Sequence, residues 1–498
     1  MIHKLYSLVD TEVKTKEPLY IQGVNRRSGD IILLNKGEVL DFTTYFNSVS
    51  LKKWKRYTTI ERLQLVLHLK GHFQITFHFY DENKTVHKIA MKTYDSVFVH
   101  SFSMAELNGA LIGFTIQCLS EEGAYMGGEW DGQFSQWNER KIGISITTFK
   151  REKYVKRTMN VLQDFQRDHP WLSVLVVDNG STLQEINDTQ FRVIHNRNYG
   201  GSGGFTRGMI EYVEQGKVDY VLLMDDDIVL ETSALERTFS LLSGVKKEYE
   251  ESFLAGAMLS MEKPCLQSEN TAYWDKIISR ICNKNMNLSV VKNLIANETV
   301  HSHPNTYAGW WYCCIPSKRI VEIGYPLPVF IKSDDMEYGI RNNREIISLN
   351  GIGIWHQAFV KKMNLAIRYF SDRNSFILNH YAQGCNRGTL VLAVLGRIGK
   401  RLIHCDTHGI AVLSLALKSY SKGFESITAN PADKVFFKVR QHPFDEGLAV
   451  SIIGVIGSLM RSIIYYHQID KKYTSFRKIF LSDSIFWKRF LNLRGKNE

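Results

Sequence analysis

The sequence lacks an N-terminal basic stretch followed by an apolar run, and it has no cysteine pair at CxxC spacing. These absences argue against secretion and favour a reducing cytoplasm. Each of the seven cysteines (Cys118, Cys265, Cys282, Cys313, Cys314, Cys385, Cys405) then reads as a small buried apolar residue. No uncharged apolar stretch reaches the roughly 18 residues that a spanning helix needs. The nearest, Gly447 to Met460, is followed at once by Arg461, so a helix lying in or against a membrane surface is the membrane reading left open. There is no GxxxxGK[ST], which excludes a P-loop NTPase, and no GxGxxG after the first strand of the α/β region, which disfavours a dinucleotide-binding dehydrogenase. Internal repeats and low-complexity tracts are also missing.

What is present is a chain of 498 residues, 44% hydrophobic, enough for several cores and about three domains. The net charge of +11 suits an RNA, an anionic membrane or a phosphorylated substrate. The bases gather toward the C-terminus instead of along a stacking platform, so no nucleic-acid partner is expected.

Residues 1–135 read as a β-rich module. Leu63, Leu65, Leu67 and Leu69 alternate with polar neighbours, Phe73, Ile75, Phe77 and Phe79 repeat the pattern, and Lys70, Gly71 and His72 would make a hairpin between them. Such strands suggest an antiparallel sandwich with one wet face. From Lys141 the order changes to strand (Ile142 to Thr147), helix (Tyr154 to Phe165), strand (Leu172 to Val177), the mark of an α/β nucleotide-binding sheet running to about residue 360. After Ile367 the period is helical. Arg461 to Glu498 holds nine Lys/Arg against three Asp/Glu, interleaved with aromatics, which fits either an amphipathic segment on anionic lipid or a solvated helical face.

The chemistry centres on Tyr220 to Leu230, where five strand-forming residues deliver Asp225, Asp226 and Asp227 at a strand's carboxyl end. Open α/β sheets place their ligands there. Three adjacent carboxylates repel, and a hard divalent cation such as Mg²⁺ or Mn²⁺ offsets this, although acidic clusters also cap helices. Alternation along an extended segment points Asp225 and Asp227 the same way and turns Asp226 aside. Upstream, Asp178 ends a buried strand and could meet a nucleobase or ribose, or simply make an Asx turn. Asn198 to Gly208 carries four glycines in five residues, read as a loop that lets backbone approach a ligand, with Arg207 aimed at a diphosphate; a plain surface loop is the alternative. A second acidic group, Asp334, Asp335 and Glu337, could supply a base or cap a helix. His356 follows a probable strand and could complete the metal shell, although a lone histidine is usually structural. Trp310 and Trp311 suit stacking on sugar rings or plain core packing.

Taken in order, TTFKR, VVDNGS, NYGGSGGFTRG, DDD, AGWW, FIKSDDMEYGIR and GIWH resemble the inverting family-2 glycosyltransferases of the GT-A fold, and within them the galactofuranosyltransferases that build galactan from UDP-galactofuranose. The resemblance covers about residues 141–375. It implies a multidomain α/β chain with a β-sandwich (1–135), a Rossmann-like GT-A nucleotide-sugar domain (136–370) and a C-terminal helical region (371–498). It implies that Asp225, Asp227 and His356 hold Mn²⁺ or Mg²⁺ and that Asp335 is the general base. Thr148, Phe149, Arg151, Asp178 and Asp226 would line the nucleotide site, Asn198 and Arg207 would lie near the donor, and Trp310, Trp311 and Asp334 would shape the sugar and acceptor sites. Asp372, Arg373 and Asn374 match a family segment without an assigned role. The implied partners are a UDP-sugar, a glycan or lipid-linked glycan acceptor, an anionic membrane surface on the inner face of the cell membrane, and a second copy of the chain. The polymerising members are longer at the C-terminus, so addition of one or a few sugars is the expectation. Another donor on the same fold (a UDP-hexose or dTDP-rhamnose) and a non-catalytic carbohydrate-binding assembly protein are the competing readings; a decayed site has no reason to keep mutually repelling carboxylates.

Overall fold

The computed structural model describes residues 1–23, 26–83, 86–188, 190–357, 364–429, 431–444, 447–483 and 485–493. Residues 2–134 form two antiparallel sheets. Strand Ile60–Lys70 lies in one, between Glu122–Phe134 and Ser96–Ser103; strand Phe73–Tyr80 lies in the other, between Leu111–Cys118 and Val86–Thr93. The hairpin expected across residues 70–72 is therefore not formed. Gly71, at φ +108°, turns the chain from one sheet into the other. Period-two alternation says that each strand has one apolar side but not which strand pairs with it. Here the two apolar rows, Leu63 to Leu69 and Phe73 to Phe79, are buried between the sheets, each covering the other.

The second layer system is an 11-stranded mixed sheet, with one path running Ile186–Asn187, Phe191–His195, Leu172–Asp178, Ile142–Thr148, Tyr220–Asp225, Tyr312–Pro316, Phe253–Ser260, Leu266–Glu269 and Met286–Asn287. Strand Ile142–Thr148 is parallel to both Leu172–Asp178 and Tyr220–Asp225, in a register that puts Thr148 beside Asp178 and Thr147 beside Asp225. The chain leaves this strand to one side and later returns to the other, so a crevice opens at the carboxyl ends. Strand Ile346–His356 runs parallel to Phe253–Ser260 and pairs His356 with Ser260. Because Tyr312–Pro316 is antiparallel to both Tyr220–Asp225 and Phe253–Ser260, the strand carrying His356 runs the same way as the strand carrying Asp225. Both side chains thus arrive at one edge.

The remaining residues pack as helices, among them Leu365–Leu378, Arg387–Ile403, Thr407–Tyr420, Ala432–Gln441, Leu448–Ile464 and Tyr466–Ser482. Among the described residues no single helix is long and apolar enough to cross a membrane; Leu448–Ile464 and Tyr466–Leu481 pass such a test only as a pair bent by 74°. Much of the basic, aromatic tail is docked on the protein. Trp487 is buried and donates to the Pro326 carbonyl at 2.8 Å, Phe490 packs on Tyr199 at 4.4 Å, and Lys488 pairs with Glu214. Residues 494–498 of that tail lie outside the described residues.

Candidate metal and nucleotide-sugar site

The strand Tyr220–Asp225 is buried through Met224, and its last residue emerges at the crevice. One ligand atom each from Asp225, Asp227 and His356 fall within 4.8 Å of one another. His356 Nε2 stands 3.7 Å from Asp225 Oδ2 and 3.2 Å from Asp227 Oδ1. The other oxygen of Asp227 is held by Arg151 Nη1 at 2.7 Å, so Asp227 is fixed with one oxygen toward the trio. Asp226 is not one of the trio: it accepts from Thr148 Oγ1 at 2.7 Å and pairs at 3.2 Å with the same Arg151 nitrogen that holds Asp227. Burial pushes the Asp226 carboxyl up, and the Arg151 charge counters this. Two carboxylates and one imidazole form a donor set suited to a divalent ion, with Oδ1 of Asp227 and Nε2 of His356 facing the same point. An ion there requires the imidazole nitrogen to be unprotonated.

The second acidic group lies at the start of helix Asp334–Asn342. Asp334 is only 8% exposed; burial first, and then the Asp335 charge, push it up to about 7. Burial raises Asp335 as well, while the Lys332 charge pulls it down. The two neighbouring carboxyls are thus both raised, and the Asp335 charge acts on Asp334, the more buried of the two by exposed surface. Glu269, at the end of strand Leu266–Glu269, joins them: burial and then the Asp335 charge push it up to about 7. Nothing in the local sequence around Glu269 marked it. The Asp335 charge also reaches the Cys313 thiol, and Cys313 pairs with Leu223, two residues before Asp225.

The glycine-rich segment is not a ligand-approaching loop. Helix begins at Gly200 and runs to Gln215. A Cβ on Gly204 would lie 2.1 Å from the Thr147 side chain, and one on Gly208 would lie 1.8 Å from Ser145 Oγ. The glycines let this helix lie directly on strand Ile142–Thr148. Its first turn also holds the segment before the second acidic group: Ser202 N donates to the Phe330 carbonyl at 3.1 Å and Ser202 Oγ to that of Leu327 at 2.7 Å. Asp334 Oδ2 comes to 3.7 Å from the position a Cβ of Gly201 would take.

For Asp178 and the tryptophans the structure takes the second of the two readings left open, an Asx-type turn and core packing; Asn198 and Arg207 make local contacts. Asp178 is fully buried, its oxygens accepting from Gly180, Thr182 and Leu183 N–H at 2.6 to 2.8 Å; it shapes its own loop from beneath. Asn198 accepts from Gly200 N–H at 3.0 Å, closing the helix start. Arg207 is bound to Glu211, which also pairs with Arg192. Trp310 and Trp311 are each 5% exposed: Trp310 packs on Phe205 and Tyr338, and Trp311 donates to the Gly256 carbonyl at 2.8 Å. In this structure both are core side chains. Phe149 is half-buried beside the strand end. The segment without a role now has contacts. Arg373 and Asn374 donate to the Val329 carbonyl, and the Asn374 amide also reaches those of Ile331 and Lys332 at 2.8 and 2.9 Å.

The fold and this strand-end arrangement resemble the glycosyltransferase domains of the GT-A type. The family comparisons narrow this resemblance: residues 144–245 match the model of glycosyl transferase family 2, and residues 4–119 match that of the galactofuranosyltransferase 2 N-terminal domain. The chain is 24% identical over 423 residues to the galactofuranosyltransferase GlfT2 of Mycolicibacterium smegmatis, a match covering 78% of this chain and 65% of that protein. It is 25% identical over 389 residues to the same-named protein of Mycobacterium tuberculosis, covering 68% and 58%. The chain thus spans less than two thirds of the length of these relatives. Among solved structures, Staphylococcus aureus TarS 1-349 aligns over 66% of this chain and 91% of its own at 15% identity, with a TM-score of 0.32.

Proposed function

We propose that the chain is an inverting glycosyltransferase that moves galactofuranose from UDP-galactofuranose to a hydroxyl of a glycan or lipid-linked glycan in cell-surface polysaccharide synthesis. The observation that carries this reading is the presence of two separate acidic centres: a trio able to hold a cation, and a carboxylate pair at the start of helix Asp334–Asn342. The galactofuranosyltransferase N-terminal domain and the relatives' names favour this donor over another UDP-hexose or dTDP-rhamnose.

In this reading Asp225, Asp227 and His356 hold Mn²⁺ or Mg²⁺, which supplies charge to the departing diphosphate. Arg151 fixes Asp226 and Asp227. Asp335, the more open of its pair, takes the acceptor hydroxyl's proton as that oxygen attacks the anomeric carbon from the face opposite the breaking bond to UDP. Asp334 faces the acceptor side. Thr148, Phe149, Arg151 and Asp226 form the near wall of the nucleotide site; Asp178 and Asn198 act through the loop and helix start they shape, and Arg207 through Glu211. Trp310 and Trp311 back the sugar pocket from the core. The enzyme works at the inner face of the cell membrane as a peripheral protein, with self-association among its expected partners.

The test is incubation with a panel of UDP- and dTDP-sugars plus Mn²⁺ or Mg²⁺ while nucleotide release is followed. Asp335→Asn is expected to lower transfer by about a thousandfold, within the usual worth of a general base, with UDP and Mn²⁺ binding retained. Loss of nucleotide affinity in that variant would remove Asp335 from the role of base. Asp227→Ala should weaken Mn²⁺-dependent UDP binding; an unchanged Mn²⁺ titration would remove the metal site.

A further inference from the structure

Away from the crevice, a cavity of about 540 Å³ opens among helices Leu365–Leu378, Thr407–Tyr420 and Ala432–Gln441. Its rim carries Lys418, Lys422, Lys438 and His442, all exposed. Among the described residues none of the three lysines pairs with a carboxylate, so their charges converge on open space. Its floor is apolar, made by Tyr369, Ala411, Val435 and Val439. A basic rim over an apolar floor matches neither water alone nor a sugar. It matches a phosphate joined to a hydrocarbon.

The surroundings favour a membrane lipid as the source of that phosphate. Ser414 lines the cavity, and a Cβ on Gly454 would lie 2.7 Å from its Oγ, so helix Leu448–Ile464 crosses directly behind the wall. That helix leaves Val450, Ile453, Ile456, Met460 and Ile464 between 52% and 68% exposed along one side, an apolar strip beside the basic rim. On its inner side the cavity is one aromatic layer from the second acidic group. Tyr369 of the floor adjoins Phe370, which packs on Phe330 at 5.0 Å and on Phe436 of the lysine-bearing helix at 6.3 Å. Phe330 begins the segment that ends in Asp334.

We infer that this cavity binds the phosphate or diphosphate head of a single-chain membrane lipid, the carrier of the acceptor glycan, with its chain running onto the exposed strip of helix Leu448–Ile464. The inference rests on the proposed transferase reading only for what the lipid carries; the binding itself does not depend on it.

The test uses the full chain and sedimentation with three kinds of vesicle: phosphatidylcholine alone, phosphatidylcholine with polyprenyl phosphate, and phosphatidylcholine with phosphatidylglycerol at equal surface charge. The variant is Lys418→Gln/Lys422→Gln/Lys438→Gln, whose exposed positions spare the core; unchanged UDP binding checks its fold. Binding to the polyprenyl phosphate vesicles is expected to fall by about a hundredfold, about fivefold per lysine, with a much smaller loss on phosphatidylglycerol. Equal loss on both anionic vesicles would reduce the cavity to a general basic surface and overturn the site, as would no loss at all. Displacement by inorganic diphosphate at concentrations matching the lipid phosphate would assign a free anion instead and overturn the lipid. A failed transferase reading shows itself separately: no donor turns over with any acceptor, yet the vesicle difference persists.

Discussion

Asp334 sits where its charge is poorly solvated and next to a second carboxylate, and this has a measurable cost. Its folded pKa, about 7, lies above the ordinary 3.8. A carboxyl raised in this way stabilises the fold at pH values below its ordinary range, and the contribution is lost as pH rises through about 7. Asp334→Asn removes the titration. Its apparent Tm should match that of the wild type below about pH 4, pull ahead progressively as pH rises from there toward 7, and stay ahead by a constant margin above pH 7. A difference between the two melting curves that does not change with pH would show that Asp334 is not held in this state. Asn374 acts at one remove. Phe330, Lys332 and Ser333 have φ of 78°, 65° and 63°, a backbone region costly for non-glycine residues, and the Asn374 amide faces three carbonyls of that same segment. Asn374→Ala should let the segment relax and lower kcat by about tenfold to a hundredfold through misplacement of Asp335, with KM for the donor unchanged. A rise in donor KM at constant kcat would assign Asn374 to binding instead. The grouping of Asp225 with Asp227 was legible in the sequence, but not its cause: the strand ends at Asp225, and a turn, not strand alternation, sets Asp226 and Asp227. The tryptophans were not legible, because AGWW looks the same whether it faces a sugar or a core.

The helix Gly200–Gln215 shows why short-range reasoning failed between strands. Glycine is the poorest helix former after proline, so a run of four suggested a loop. The helix forms because contact with strand Ile142–Thr148 and with the 327–330 segment outweighs propensity, and only residues without a Cβ permit that approach. Gly204→Ala would improve propensity in isolation. Here the added methyl meets Thr147 at 2.1 Å, so it should destabilise by about 1–3 kcal/mol and shift the strand end that carries Thr148. Thermal unfolding with UDP titration checks both parts; a stabilised variant would mean that the helix does not rest on the strand. The strands Ile60–Lys70 and Phe73–Tyr80 failed in a related way, since two residues between apolar strands fit a hairpin and an inter-sheet corner equally well.

The sandwich and the nucleotide-binding sheet were read as separate modules from a change of period near residue 136, yet their apolar residues form one cluster running from Leu5 to Ile354. Polar contacts cross the same boundary. Tyr45 donates to the Ile352 carbonyl at 3.2 Å, buried Lys53 donates to that of Asn297 at 2.7 Å, and the buried Arg237 guanidinium lies 3.5 Å from the Tyr6 ring centre. The crossing bears on the metal trio, because Phe46 packs on Trp355 at 5.6 Å and Lys16 lies over the same ring, one residue before His356. Removing residues 1–135 would expose many large apolar side chains, at about 1.5–3 kcal/mol each, against a net stability of about 5–15 kcal/mol for a typical domain. The chain 136–498 should therefore aggregate or unfold without a cooperative transition, and any folded fraction should bind Mn²⁺ more weakly than the full chain through loss of support for His356. Sedimentation velocity, thermal unfolding and Mn²⁺ titration of the two chains decide this. A monomeric 136–498 that melts cooperatively and binds Mn²⁺ as the full chain does would mean that the shared core is a contact between independent domains and that the strand bearing His356 needs no buttress from the sandwich.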